Sequence, residues 1–425
     1  MKIAVIGSGG REHALAYKIN ESKFCDKLFC LPGNAGTDSI AENVDIYAED
    51  IEGIVNFAKS KNIDLVVVGP ENPLAKGLVD RLESVGVKAF GPSKAAAQLE
   101  ASKSFSKNFF RKYNIPTADF RVFEDYNEAK DFVEKKGAPI VIKADGLAAG
   151  KGVTVAQNID EAICALDDIL KNRIFKGASD KVVIEDCLVG EEASFLVFSD
   201  GNNILPMIAA QDHKPIFDGD KGPNTGGMGA YARAPIVDEK MRDYITKNIM
   251  QKTIDSLKKE GIVYKGVLYA GLMIDENKKP FVLEFNCRFG DPETQAILPL
   301  MESDIVEIMK ASADGNFQSD DIVWSDKYAV SVVVASEGYP GTYEKGNIIE
   351  GLEDAEKLEG VYIFHAGTKI KDSMVVTNGG RVLNVVGVDK EFRKAQEKAY
   401  NAIKLIHFDG MIYRNDIGNK AYKYL

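Results

Sequence analysis

The sequence predicts an α/β protein that opens with a parallel, doubly wound sheet and closes with a small mixed α+β domain. Three patterns carry this expectation. Short apolar runs that stop at glycine or proline alternate with helical stretches through the first hundred residues. Such alternation builds a parallel sheet with helices on both faces. Between about 117 and 190 the order becomes strand, helix, strand, strand, helix, strand. From about Lys327 short strands follow one another and end in a single amphipathic helix.

Each element has a local reason. The run 3–6 is apolar and ends at Gly7, and a helix follows over 11–20. Runs 27–31, 64–68 and 87–90 end at Pro32-Gly33, Gly69-Pro70 and Gly91-Pro92. Ligands on such sheets lie beyond the carboxyl ends of the strands, where these turns fall. A helix over 93–112 bridges to the next domain and is broken at Ile115-Pro116. Runs 139–144 and 153–156 flank a Gly-rich loop and form a hairpin. Met241, Tyr244, Ile245, Ile249, Ile254 and Leu257 give the helix 240–258 its apolar stripe. Strands are expected at 329–335, 361–365, 374–377 and 381–388. The helix 391–406 carries Phe392, Ala395, Ala399, Ile403 and Ile406 on one face.

At roughly 100–200 residues per domain, 425 residues make about two to four domains. With 53 Lys and Arg against 64 Asp and Glu, the net charge is −11. A chain this acidic is a poor binder of nucleic-acid backbone, so an anionic ligand must be held by local groups. Five cysteines without a CxxC argue against a disulfide framework and for a reducing compartment. Four dispersed histidines argue against a His-rich zinc site. No apolar stretch reaches about 18 residues, so a cytoplasmic protein with no membrane partner is expected.

Five constellations carry chemistry. Gly7-Ser8-Gly9-Gly10-Arg11-Glu12 fails as a dinucleotide fingerprint because Glu12 stands at the third glycine position. That argues against a dinucleotide-dependent oxidoreductase. What remains is a strand-to-helix turn whose free N–H groups can hold a phosphate. A second small-residue turn, 32–37, lies at the next strand end, and the two together favour a phosphorylated sugar. Lys143-Ala-Asp145-Gly146 with Gly150-Lys151-Gly152 is not a P-loop, since three residues separate its glycines and no Ser or Thr follows the lysine. It is a glycine-rich loop between two strands, able to close over nucleotide phosphates, with Lys143 as the cation.

The strand 182–188 leads into an acidic linker that can offer backbone groups to an adenine edge, and a carboxylate beyond it can accept ribose hydroxyls. On the strand 280–286, Glu284 and Asn286 are two apart and share one face. A carboxylate and an amide oxygen suit Mg²⁺, which takes further oxygens from phosphates. Arg288 follows and opens the run 288–295. Finally, 211–214 and 218–229 form a long Gly-rich loop without periodicity, in which Asp212 can bind an amine.

In this order the five elements resemble an ATP-grasp ligase, more narrowly the glycinamide ribonucleotide synthetase (phosphoribosylamine–glycine ligase) family. The likeness covers essentially the whole chain. Its most specific piece is Arg288-Phe-Gly-Asp-Pro-Glu293-Thr-Gln295, supported by 9–15, 223–229 and 408–411. The resemblance implies ATP-dependent joining of glycine to 5-phosphoribosylamine through a glycyl phosphate. It implies Mg²⁺ or Mn²⁺ at Glu284 and Asn286. It also implies four domains: 1–101 for substrate, the ATP-grasp lobes 102–190 and 191–325, and 326–425. Lys103, Lys143, Gly150 and Gly152 would serve the phosphates, Glu185 to Leu188 the adenine, and Glu192 the ribose. Gly9, Gly10, Arg11, Asn34 and Gly36 would hold the sugar phosphate. Asp212, Lys214, Gly226, Gly227 and Arg288 would meet substrate, with Arg288 and Lys143 catalytic. Partners would be small molecules alone, and the chain a monomer. Pro215 stands where the family usually has Arg, a departure at one substrate contact. Asp275, at the end of the strand before 280–286, is a candidate for a second metal ligand.

Overall fold

The structure is a computed structural model and describes residues 1–148, 152–319 and 321–425, with Lys176 by its backbone only. Strands β1 (Lys2–Gly7), β2 (Lys27–Pro32), β3 (Glu42–Asn43), β4 (Leu65–Val68) and β5 (Ala89–Phe90) form a parallel sheet in the order β3-β2-β1-β4-β5. After the exposed Lys2, every residue of β1 is buried, and all of β4 is. That is the unbroken apolar pattern of a sheet covered on both faces. The helix Ile51–Lys61 starts at Asp50, whose carboxylate caps Gly53 N–H, and ends at Asn62 in the left-handed region (φ 54°).

Strands β6 (Phe120–Phe123), β7 (Ile140–Ala144), β8 (Val153–Ala156) and β9 (Val182–Asp186) make an antiparallel sheet in the order β6-β9-β7-β8, with the expected hairpin at β7–β8. A ten-stranded sheet follows. It contains β10 (Glu191–Asp200), β11 (Ile204–Pro206), β12 (Ala210–Asp212), then β15 (Gly229–Ala232), β16 (Lys265–Ile274) and β17 (Pro280–Asn286). Between β12 and β15 lies a separate two-stranded hairpin, β13 (Pro215–Phe217) with β14 (Lys221–Asn224). The large sheet continues with β18 (Tyr328–Ser336), β19 (Val361–His365), β22 (Arg381–Asp389) and β23 (Met411–Ile412), while β20 (Thr368–Lys371) and β21 (Met374–Thr377) pair apart from it. Because β15 pairs with β18, strands on both sides of residue 326 share one hydrogen-bonded sheet.

Four sequence expectations are corrected. The helix 93–112 is two helices, Gln98–Ala101 and Lys103–Tyr113, broken at the extended Ser102 (φ −137°, ψ 110°). Ser102 caps the second by accepting from Phe105 N–H, and its hydroxyl reaches Asp145. The region 211–229 is not structureless, since it holds the β13–β14 hairpin. In the helical run Glu239–Ile245, Thr246–Gln251 and Lys252–Lys259, Tyr244 is exposed and Met250 takes its place in the core. The last long helix spans Phe392–Ile403, and Ile406 is buried just past its end.

Candidate active site

The site is built around β17. Opposite Gly271 and Leu272 of β16, the pairing of β17 shifts, with Glu284 facing Gly271 and Val282 facing Leu272. Leu283 is therefore an extra, bulged residue whose carbonyl is free of the ladder. Lys143, the fourth residue of β7, donates to that carbonyl at 3.2 Å. The next residue, Glu284, and Asn286 lie two apart on the strand. Among the described residues, neither of their side chains has a hydrogen-bond or ion-pair partner. A bare carboxylate inside a protein is costly unless charge surrounds it. Here the surroundings are Lys214, Lys143, Lys103 and Arg288. Burial alone would raise the Glu284 carboxyl, and these four cations hold it below its ordinary range.

Lys103 begins the helix Lys103–Tyr113, and its ammonium donates to Gly146 O at 3.0 Å. Burial pulls its pKa down, and Glu284 opposes that pull. Lys143 also lies 2.9 Å from Glu185, a buried carboxylate on β9 that pairs with Lys107 at 2.7 Å. Glu185 thus points inward to two lysines. Beyond it Cys187 and Leu188 are half-buried and Val189 is exposed. Gly152 sits against Ala144 and Ala148, where a Cβ would come within 3.2 and 2.7 Å. Gly150 lies outside the described residues.

Arg288 is held in a carboxylate fork: Nε is 3.2 Å from Glu71 and Nη2 is 3.0 Å from Glu100. Glu71 is held down at about 2, burial being outweighed by Arg288 and Arg11. The more deeply buried Glu100 is pushed up by desolvation, against Arg288. On β12, burial raises the Asp212 carboxyl to about 7. Lys214, 4.0 Å away, works against that rise, while Glu293 and Glu192 add to it. Lys214 is ion-paired with Glu192 at the start of β10. Glu293 accepts hydrogen bonds from Tyr269 (2.6 Å) and Ser194 (3.1 Å).

The N-terminal turns are brought together but are closed by their own hydrogen bonds. Gly9 N–H donates to Glu12 at 2.7 Å, and buried Arg11 donates to Glu12 at 2.6 Å and to Phe289 O at 3.1 Å. Glu12 thus occupies the space that a third glycine would leave open. A Cβ on Gly10 would meet the amides of Asn384 and Gln295. Asn34 donates to Ser8 O (2.9 Å) and His365 O (2.7 Å), and its carbonyl oxygen accepts from Gly36 N–H and Thr37 N–H. Gly36 packs on the His13 ring.

Arg381 ties a further loop to the site. It donates to Gly226 O (2.6 Å) and to Asp291 O and Oδ2 (2.8 and 2.9 Å). Gly227, at φ +110°, lies against Pro292, where only glycine fits without strain. Pro215 offers its carbonyl to Arg414 at 3.0 Å. Asp275 is a turn residue: its Oδ1 accepts from Asn277 N–H (2.9 Å) and Lys279 N–H (2.7 Å). That role explains why it follows the strand, and it leaves Asp275 at the hairpin end, not beside Glu284.

Glu71, Glu100, Lys107, Glu293 and Arg381 were not singled out in the sequence. Only Glu293 lies within a motif, the run 288–295, and the others meet their partners across long sequence distances. Among the described residues there is no cluster of three or more His, Cys, Asp or Glu side chains able to hold a metal. Glu284 and Asn286 nonetheless fit a hard divalent cation whose shell is completed by other oxygens. They are partnerless oxygen donors on one strand, in a ring of lysines that would also gather phosphate.

The chain matches three models of one family in succession: phosphoribosylglycinamide synthetase N domain over 1–100, ATP-grasp (A) domain over 101–294 and C domain over 329–420. It is 51% identical over 424 residues to the phosphoribosylamine–glycine ligase of Neisseria meningitidis serogroup B, covering 99% of both chains. It is 48% identical to that of Caldanaerobacter subterraneus subsp. tengcongensis, covering 98% of this chain and 99% of the relative. The solved phosphoribosylamine–glycine ligase of Thermotoga maritima superposes with a TM-score of 0.85 at 36% identity, covering 98% of this chain and all of that one. Biotin carboxylase from Campylobacter jejuni shares the fold (TM-score 0.74, 17% identity, 97% of this chain and 92% of that one).

Proposed function

The chain belongs to the phosphoribosylglycinamide synthetase family, as an ATP-dependent carbon–nitrogen ligase, and we propose which residues carry its reaction. It joins glycine to 5-phosphoribosylamine, giving glycinamide ribonucleotide, ADP and phosphate in purine synthesis. The observation that carries the assignment of roles is the partnerless pair Glu284 and Asn286 inside the ring of Lys103, Lys143, Lys214 and Arg288.

Lys103 and Lys143 hold the ATP phosphates, the backbone of 185–188 meets the adenine, and Glu192 meets the ribose once Lys214 is drawn away. Glu284 and Asn286 hold Mg²⁺ or Mn²⁺, which neutralises phosphate charge when bound. Asp212 receives the glycine ammonium, and Lys214 keeps the glycine carboxylate near the γ-phosphorus. That carboxylate oxygen bonds to phosphorus as the bond to ADP breaks. Arg288, preset by Glu71 and Glu100, steadies the charge spreading over the phosphoryl oxygens. The amine of phosphoribosylamine then bonds to the glycyl carbon and phosphate leaves with the C–O electron pair. A carboxylate resists amines because its leaving group would be oxide, and phosphorylation removes that obstacle.

The turns at Gly9–Arg11 and Asn34–Gly36, with Gly226 and Gly227, frame the sugar-phosphate end. The division 1–101, 102–190, 191–325 and 326–425 describes these roles, with ATP between the two middle segments. All five cysteines are free thiols. No helix among the described residues is long and apolar enough to cross a membrane. We take the enzyme to act in the cytoplasm, as a monomer on small molecules.

The reading is tested by ADP release with each amino acid in turn, with phosphoribosylamine generated in situ. Release should need glycine and phosphoribosylamine together. Equal turnover with another amino acid, or none with glycine, would overturn it.

A further inference from the structure

We infer that Lys107 is a positioning residue for phosphate binding: by neutralising Glu185, it leaves the Lys143 ammonium with a net positive charge to offer. The inference rests on the proposed role of Lys143 at the nucleotide phosphates.

Lys107 is 2% exposed, on the buried face of the helix Lys103–Tyr113. Its ammonium donates to Thr117 Oγ1 at 2.6 Å and to Glu185 Oε2 at 2.7 Å. It lies about 6 Å above the rings of Phe110 (6.0 Å) and Phe120 (5.9 Å). The other oxygen of Glu185 is 2.9 Å from Lys143. One carboxylate is therefore shared by two ammonium groups. Counted as a unit, two positive charges and one negative leave one positive charge. That charge resides on Lys143, because Lys107 is walled in by Thr117, Glu185 and two aromatic rings.

Without Lys107 the same carboxylate would cancel Lys143 outright. Two opposite charges about 3 Å apart in a poorly solvated site present a dipole, not a cation, to an incoming phosphate. The wiring also fixes position. Thr117, which receives Lys107, donates in turn to Val282 O at 2.6 Å, and Val282 N–H donates to Pro116 O at 2.8 Å. Lys143 itself donates to the next carbonyl, Leu283 O. Lys107 through Thr117, and Lys143 directly, therefore tie to consecutive residues of β17 immediately before Glu284. The buried charge set spans the helix Lys103–Tyr113, β7, β9 and β17, which no short motif joins.

The test compares K107M, E185Q, K107M/E185Q, K107R and K143M in the full-length enzyme, with ATP KM and inhibition by adenosine as readouts. A charge removed at this range should weaken phosphate binding by about 10-fold or more. K107M should raise the ATP KM by that factor and leave adenosine inhibition unchanged, because adenosine carries no phosphate. K107M/E185Q restores one net positive charge and should recover most of the loss. K107R keeps the charge and should stay near wild type, which preserves the test if K107M folds poorly. If the double variant is no better than K107M, or if ATP and adenosine weaken together, Lys107 is only a structural prop and the inference is overturned. If K107R loses as much as K107M, it is overturned as well. K143M separates the two levels: an unchanged ATP KM there would sink the assignment of Lys143 itself, whereas a raised KM with normal K107M would sink only the inference about Lys107.

Discussion

Strand β17 and the N-terminal turns are both rich in polar groups, yet they treat them in opposite ways. On β17, Glu284 and Asn286 have no partner among the described residues, and four cations surround the carboxylate. At the N-terminal turns the side chains are already committed: that of Asn34 makes four hydrogen bonds, and Glu12 takes the N–H of Gly9 and the guanidinium of Arg11. Glu284 and Asn286 are half-buried, so their free oxygens are open to a ligand or to solvent, whereas groups paired within the chain are already committed. On the proposed assignment the β17 side is the place for chemistry, and the turns form a wall held largely by the chain's own hydrogen bonds.

Substitutions can break that contrast. The largest effect is expected for Glu284→Gln, with turnover falling by about 100-fold or more, as for other losses of transition-state charge stabilisation. Its unfolding should stay cooperative, because no protein partner is lost. Near-normal turnover at modest Mg²⁺ would remove Glu284 from the phosphoryl-transfer set. Asn34→Ala should do the reverse. It strands the buried His365 carbonyl and the N–H groups of Gly36 and Thr37. The expected cost is about 1–3 kcal/mol of stability, read as a lower denaturant midpoint at unchanged slope, with a smaller effect on turnover. If Asn34→Ala cost activity and no stability, the two regions would not differ as described.

The smallest effect concerns pH. Burial lifts the Asp212 carboxyl to about 7, with Lys214 opposing and Glu293 and Glu192 adding to it. Below that value the group is neutral and cannot hold an ammonium. The KM for glycine should fall severalfold as pH rises from 6 to 8, and Asp212→Asn should flatten the dependence. The sign for stability is opposite. The folded state holds a proton that the unfolded state gives up near the ordinary value of about 4, so stability falls as pH rises between there and 7. A glycine KM that is flat across this range in the unaltered enzyme would free Asp212 from the amine.

Much of the contrast was legible in the sequence and part was not, for identifiable reasons. The strands ending at Gly7, Pro32 and Val68 were readable because an apolar run and a breaker are local signals. So was the pair Glu284 and Asn286, since strand periodicity puts them on one face. The break at Ser102 was not, because Asp145 stabilises it from 43 residues away. The hairpin β13–β14 escaped as well. Its strands are short, and Arg414 holds it from the far end of the chain through Pro215 O and Asp220. The fork of Glu71 and Glu100 on Arg288, and Lys107 behind Glu185, are also products of folding.

The most direct test of the account follows the carboxylate oxygen. With glycine carrying ¹⁸O in its carboxylate, each turnover should place one labelled oxygen in the released inorganic phosphate, because the oxygen that attacks the γ-phosphorus leaves with it when the amine bonds to carbon. Phosphate without label, or label arriving only from solvent water, would contradict the glycyl phosphate route and with it the roles given to Lys143, Glu284, Asn286 and Arg288.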